Sequence, residues 1–351
     1  GIMEAHHAHA IDHKWSAAVE SAQIIIVDEV SMIRADGMDG IDRTLRKTMQ
    51  SNEPFGGKTM LFVGDAWQLA PVVKELEETV LNARFRSPWF FDAGVFTGYK
   101  QLIPEDPAKL EIIELSRGFR QINGEFMNAL DLLRVGDPAG LKLINTRVGK
   151  PDKDVIHLTF SNKRAGEIND ARLEALTGIA ELYTAQIEGP WAEKNPPAPE
   201  RLLLKVGARV MFTRNVSSFG MRSVANGEVG TVTCIDGDAP IVQMADGSDV
   251  VADPVTWEQM GLAYDTEQGK IVETAEATYT QVPLKLAYAI TTHKSQGQTL
   301  DAAELALDMR AFSHGQVYVA LSRVRGLDGL FLERPIKESD LIVDERVKEF
   351  F

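Results

Sequence analysis

Two uninterrupted apolar runs stand out from the alternating texture around them. Ile24-Ile25-Ile26-Val27 reads as a strand buried on both faces, of the kind found in parallel sheets, and it stops on Asp28-Glu29. Thr59-Met60-Leu61-Phe62-Val63 repeats the pattern and stops on Gly64-Asp65, with Gln68 just past the tip. Met38, Ile41, Leu45 and Met49 recur at helical spacing and predict a helix over residues 36–50 that covers this sheet. Residues 1–20 predict a helical lead-in, Glu53 to Lys58 a loop, and the aromatic stretch 75–100 a packed helix and turn. Leu110–Leu115 predicts a third buried strand. After Asn123, a helix carries Phe126, Leu130 and Leu133 on one face and stops at Gly136.

A second α/β unit follows. Val155–Phe160 predicts a strand, Asn162 an N-cap, and Lys163–Thr177 an amphipathic helix closed by Gly178. Ile187–Pro199, with four prolines, reads as a linker. From Arg201 to about Val272 the pattern changes to short β runs split by Gly-Asp, Asn-Gly and Asp-Gly pairs. Ala208–Phe212, Gly230–Ile235, Pro240–Met244 and Asp249–Ala252 together predict a small antiparallel barrel. Leu284–Thr292 restores a buried strand, followed by another at Ala303–Leu307 and a helix containing Gln316–Arg323. The barrel is therefore expected as an insertion within the second α/β domain.

Composition narrows the chemistry. The chain has 351 residues and a formal net charge of −14, which excludes a generally basic, histone-like binder but leaves room for a local basic groove. A single cysteine, Cys234, leaves no intramolecular disulfide and fits a reducing compartment. No apolar run is long enough for a membrane span and no secretory signal opens the chain, so a cytoplasmic, nuclear or mitochondrial setting is expected. His6, His7, His9 and His13 lack the Cys or acid pattern of a metal site and read as a lightly structured end.

The acid-tipped strands suggest nucleotide hydrolysis, because ligands of open α/β sheets lie beyond the carboxyl ends of the strands. One carboxylate can hold Mg²⁺ while a second orients or deprotonates water, and the neutral amide of Gln68 can sense a phosphate without repelling it. Arg201, Lys205, Arg209, Arg214 and Arg222 form a stretch without acids, interleaved with Phe212 and Phe219. That pattern suits either a single-stranded nucleic-acid track or an ordinary solvated face. Thr291-Thr292-His293-Lys294-Ser295-Gln296-Gly297 is a polar turn after an apolar strand, able to grip phosphates of DNA or of a nucleotide. Arg323, the one charge on an inward-packing helix, and Arg120 can each serve a γ-phosphate or a structural salt bridge.

In order along the chain, Asp28-Glu29-Val30-Ser31-Met32, Pro54-Phe55-Gly56-Gly57, Gly64-Asp65-Ala66-Trp67-Gln68, Phe119-Arg120-Gln121, His293-Lys294-Ser295-Gln296-Gly297 and Tyr318–Arg323 resemble the motifs of superfamily-1 DNA helicases. The PIF-type, RecD-like and Dda-like group is the nearest match, over about residues 20–330. The resemblance implies an α/β fold of two RecA-like P-loop NTPase domains, the first incomplete, with a small Src-homology-3-like β-barrel inserted in the second. The implied divisions are residues 1–108, 109–199, 200–275 and 276–351. It also implies ATP and Mg²⁺ as cofactors, translocation 5′→3′ on single-stranded DNA with opening of duplex junctions, and roles in repair, recombination or telomere maintenance. Asp28 would hold Mg²⁺, Glu29 activate water, Gln68 sense the γ-phosphate, and Arg120 and Arg323 stabilise transition-state charge. Asp65, Gln296 and Gly297 would line the nucleotide. Thr291 to Ser295, with Arg201, Lys205, Arg209, Phe212 and Arg214, would contact DNA.

One element of the resemblance is missing. The phosphate-binding pattern G-x-x-x-x-G-K-[ST] has only an imperfect match at Asn52–Thr59, which lacks the first glycine and leads into a strand rather than a helix. The chain therefore reads as a helicase fragment without its N-terminal ATP-binding segment, and the Ile24–Val27 strand is expected to expose apolar surface. Two other readings compete: a non-catalytic nucleic-acid-binding relic, and the helicase part of a larger nuclease or relaxase.

Overall fold

The computed structural model describes residues 13–98, 107–115, 124–151, 154–191, 196–217, 223–235, 237, 239–265, 270–307 and 309–351. The elements begin α1 (His13–Ser21), β1 (Ile24–Val27), α2 (Ala35–Met49), β2 (Thr59–Phe62), α3 (Glu75–Arg84), α4 (Gly94–Thr97), α5 (Gly124–Arg134) and α6 (Leu141–Ile144). Next come β3 (Ile156–Thr159), α7 (Asn162–Glu174), β4 (Glu181–Thr184), β5 (Gln186–Glu188), β6 (Arg201–Leu204), β7 (Arg209–Phe212), β8 (Val229–Cys234), β9 (Ile241–Met244) and β10 (Asp249–Val251). The chain closes with β11 (Val255–Asp265), β12 (Lys270–Gln281), β13 (Leu284–Leu286), β14 (Ala289–Thr291), β15 (Ala303–Leu305), α8 (Gln316–Ser322), β16 (Leu330–Leu332) and α9 (Glu345–Phe350). Two units emerge. One comprises Gly1–Val148, Met309–Asp328 and Pro335–Phe351; the other comprises Gly149–Asp308 and Gly329–Arg334.

In the first unit β1 and β2 run parallel, Ile24 opposite Thr59 through Val27 opposite Phe62. Their inward residues Ile25, Val27, Met60 and Phe62 pack against a core of Met38, Leu45, Phe55, Trp89, Phe90 and Phe91. The outward residues remain in water: Ile24 is 56% and Ile26 64% exposed, with Leu61 and Val63 beside them. The expectation of a strand buried on both faces is thus corrected, because no described element covers that side. The expected apolar exposure is present. Leu110–Leu115 is also corrected: it forms no strand, and Ile113 and Leu115 are exposed. An apolar run becomes a strand only when a neighbour completes its hydrogen bonds, and among the described residues β2 pairs only with β1.

Three aspartates on one side of α2 are buried, each because a polar partner meets it. Asp36 takes a bidentate pair from Arg34, Asp39 accepts the Val95 amide at 2.9 Å, and Asp42 binds Arg46 and the Phe55 amide. Burial pushes the Asp39 carboxyl above the usual range. The C-terminal helix α9 is fastened to this core by Arg346, which forks onto buried Asp92 at 2.6 and 2.8 Å, and by the stacking of Phe350 on Phe91.

The second unit holds a parallel sheet of order β14-β3-β15-β16 and an antiparallel sheet of order β10-β9-β8-β7-β13. One apolar core, including Leu204, Val210, Phe212, Val232, Val242 and Leu284, fills the space between β6 and the antiparallel strands. Helix α7 is capped by Ser161 rather than by Asn162; its Oγ accepts the Arg164 amide, and its extended backbone stands outside the helix. The expected single strand Leu284–Thr292 divides between the sheets. Leu284–Leu286 pairs with β7, while Ala289–Thr291 pairs with β3, the chain turning at Ala287 and Tyr288. The expected linker begins with a strand, since β5 adds to the edge of β12. The long β11–β12 hairpin has no counterpart among the short runs that the sequence pattern predicts.

Candidate functional site

The two parallel strands of the first unit deliver their acids side by side. Past β1 the Val30 amide donates to the Val63 carbonyl at 3.0 Å, so the tips stay joined beyond the strands. A Cβ on Gly64 would lie 3.0 Å from the Val30 nitrogen, and this close approach explains a glycine at that turn. Asp28 is exposed, with Oδ1 accepting the Glu29 amide at 2.8 Å. Glu29 is half-buried and sits in the left-handed region at φ 49°, strained backbone for a residue other than glycine. Ser31, directly behind, is fully buried with no hydrogen-bond partner for its Oγ.

The turn from Gly64 to Leu69 is held from several directions within the unit. Arg134, at the end of α5, pairs with Asp65 at 3.0 Å and lies over the Trp67 ring, whose indole also stacks on Phe351. Tyr318, on α8, meets the other Asp65 oxygen at 3.5 Å, and burial beside that carboxylate pushes its phenol up to about 12. The Gln68 amide nitrogen also lies 3.5 Å from Asp65. Asp65 is therefore a structural hub of the turn.

Arg323 is buried, 1% exposed, with Nε donating to the Val319 carbonyl and Nη2 to the Ser322 hydroxyl. In this conformation the carbonyl and the hydroxyl of its own helix hold the guanidinium. Its charge is felt by Tyr318. Arg120 lies outside the described residues. Arg134 and Tyr318 are given no role by the sequence pattern. Nothing local marks Arg134, whose carboxylate partner is 69 positions away.

Lys58 does not behave as a phosphate-loop lysine. Its ammonium donates to the carbonyls of Glu20 and Ala22 at 2.8 and 3.0 Å, capping the end of α1. Beside β2 opens a cavity of about 1100 Å³, walled by Leu61, Val63, Ile112 and Ile113 and reached by Arg134 and Tyr318. The donor set suits Mg²⁺ bound together with a nucleotide: an exposed carboxylate with a free oxygen, a second half-buried one, and a neutral amide. It does not suit a metal held by protein alone, since no cluster of three acid, His or Cys ligands occurs among the described residues.

In the second unit the polar turn after β14 faces largely inward. Thr291, Thr292 and Ser295 are buried, with Thr292 bound to the Thr159 carbonyl and Ser295 to the Thr292 carbonyl. Lys294 and Gly297 are exposed, Gln296 is half-buried, and burial lowers the pKa of half-buried His293. Phe212 is 0% exposed and belongs to the apolar core, which corrects the expectation of a ring offered to bases. Lys205 caps the end of α7 through the Leu176 carbonyl, and Arg214 donates to the Thr256 carbonyl while lying over Trp257. Arg209 is half-buried, and Arg201 is exposed. Phe219 and Arg222 lie outside the described residues.

Comparison with known proteins gives a consistent family. Residues 7–89 match the family model described as PIF1-like helicase. The chain is 30% identical over 378 residues to the ATP-dependent DNA helicase Pif1 of Psychrobacter sp. (strain PRwf-1), covering 90% of this chain and 54% of that protein. It is 30% identical over 323 residues to human ATP-dependent DNA helicase PIF1, covering 88% and 46% respectively. The chain thus spans about half the length of these curated relatives. Among solved structures, Bacteroides Pif1 bound to ssDNA superposes with a TM-score of 0.80 at 31% identity, covering 97% of this chain and 78% of that one. Bacteroides Pif1 in complex with ADP-AlF3 and ssDNA gives 0.79 at 30% identity, covering 97% and 77%. With a shared architecture, 31% identity over 97% of this chain and 78% of the Bacteroides protein, and a family model matching residues 7–89, this chain belongs to the PIF1-like helicase family.

Proposed function

We propose that this chain is the motor part of an ATP-dependent DNA helicase that moves 5′→3′ on single-stranded DNA and opens duplex junctions. The observation that carries the reading is the pair of joined strand tips, which brings Asp28, Glu29 and Asp65 to one edge of a parallel sheet. Relatives named ATP-dependent DNA helicases, and a neighbour in complex with ADP-AlF3 and ssDNA, support it. In this reading Asp28 holds Mg²⁺, Glu29 orients the attacking water, and Gln68 reads the γ-phosphate through its neutral amide. When bound, the cation would neutralise charge on the phosphoryl group in flight. Arg323 would leave its own helix to approach that charge, and Arg120 would join it.

DNA would meet the exposed basic residues Arg201, Arg214 and Lys294 with half-buried Arg209 and His293. The partition proposed is residues 1–108 and 109–199 with 276–351 as RecA-like domains, and 200–275 as a Src-homology-3-like barrel. The cavity beside β2 supports a further element: a strand bearing the phosphate-binding loop would insert between β2 and residues 108–115 and complete the sheet. DNA-stimulated ATP hydrolysis tests the whole. Full-length protein should hydrolyse ATP, Glu29→Gln should abolish turnover while keeping DNA affinity, and the 351-residue chain alone should be inactive. Equal turnover by Glu29→Gln would favour a binding module; strong turnover by the chain alone would end the fragment reading.

A further inference from the structure

The loop that opens α8 touches the turn that carries Gln68. His314 is 5% exposed, and its two ring nitrogens have separate partners. Nδ1 accepts the Asp344 amide at 2.8 Å, so Nε2 carries the hydrogen and donates to the Ala66 carbonyl at 2.8 Å. Its ring stands edge-on to Trp89, whose indole nitrogen in turn donates to the Asp344 carboxylate. The next residue, Gly315, takes φ +70°, and a Cβ there would fall 2.3 Å from the Gln68 carbonyl oxygen. Three turns of chain are thus locked together by one neutral imidazole: the sensing turn, the start of α8 and the start of α9.

We propose that His314 is a positioning residue, which fixes the Gln68 side chain by clamping the carbonyl two residues before it. The inference rests on the proposed role of Gln68 and goes beyond it, because His314 itself would touch neither nucleotide nor DNA. Through α8 the same clamp ties the Gln68 turn to Arg323, so the two groups assigned to the γ-phosphate share one rigid mount. A buried imidazole is well matched to such clamping, since it spans two backbone groups with a single ring that has few rotamers to lose.

Two substitutions in the full-length protein separate the halves of the clamp. His314→Asn keeps an acceptor for the Asp344 amide and loses the donor to Ala66. His314→Gln extends a donor to the Ala66 carbonyl. Losing that bond should lower DNA-stimulated kcat about tenfold in His314→Asn. KM for ATP and affinity for single-stranded DNA should not change, and His314→Gln should retain most of the turnover. Hydrogen exchange at the Trp67 and Gln68 amides should quicken in His314→Asn and stay slow in His314→Gln. Equal exchange and equal kcat in the two variants, or losses that follow Tm in both, would overturn the proposal. If wild-type protein shows no ATP turnover, the proposed function fails, while the exchange measurement still decides the clamp.

Discussion

Replacing Gly315 with alanine should weaken both folding and turnover, and the size of each effect follows from two contacts. At φ +70° an L side chain carries a left-handed penalty of about 1–2 kcal/mol. The new Cβ would also meet the Gln68 carbonyl oxygen at 2.3 Å and the Trp67 carbonyl oxygen at 2.7 Å, so the backbones must separate by roughly 1 Å. Overpacking of this kind costs about 1–3 kcal/mol, for a combined loss of about 2–5 kcal/mol. If strain moves the Gln68 turn rather than unfolding it, a displacement of roughly 1 Å at a reacting group can reduce kcat about 100-fold. Urea midpoints and DNA-stimulated ATPase rates of the full-length protein measure the two effects separately. Gly326→Ala is the control, because a Cβ there meets nothing within 4 Å. The reasoning fails if Gly315→Ala keeps wild-type stability and turnover, or if the control is equally damaged.

Four other outcomes are expected. Arg346→Ala strands the buried Asp92 carboxylate and should cost about 3–5 kcal/mol, whereas replacing both partners with apolar residues should cost far less in the same urea titration. Asp39→Ala leaves the Val95 amide unsatisfied, about 1–3 kcal/mol, while Asp39→Asn keeps the acceptor and removes a charge that burial disfavours. Because the folded pKa of Asp39 is raised, its contribution is complete below the unfolded value and is lost as pH rises through the folded one. The stability advantage of Asp39→Asn should therefore grow with pH through that window, then level off in urea titrations at a series of pH values. Phe212→Ala should cost about 3–5 kcal/mol by emptying the core, and any weakening of DNA binding should follow the fraction unfolded in thermal melts. Lys294→Ala should leave the melt unchanged and reduce the salt dependence of DNA binding by about one phosphate contact; an unaltered slope would exclude Lys294 from the interface.

The sequence by itself determined the local parts whose partners lie close by in the chain. Uninterrupted apolar runs specify the strands at Ile24 and Thr59, 3.6-residue spacing specifies α2 and α5, and paired turn residues specify the short antiparallel strands, because these preferences act over a few residues. The acids at Asp28 and Asp65 were legible for the same reason: a strand pointing at a crevice ends where its apolar run ends. Only tertiary structure decided what each side chain faces. It turned Phe212 into core rather than a base platform, folded Arg323 onto its own helix, and divided the Leu284–Thr292 run between two sheets. It also left Leu110–Leu115 unpaired, since a strand is completed by hydrogen bonds from a neighbour that local propensity does not supply. The bracing of Asp65 by Arg134 and of Ala66 by His314 joins residues 69 and 248 positions apart. No periodicity spans such distances; the contacts exist because burying the shared core brings those surfaces together.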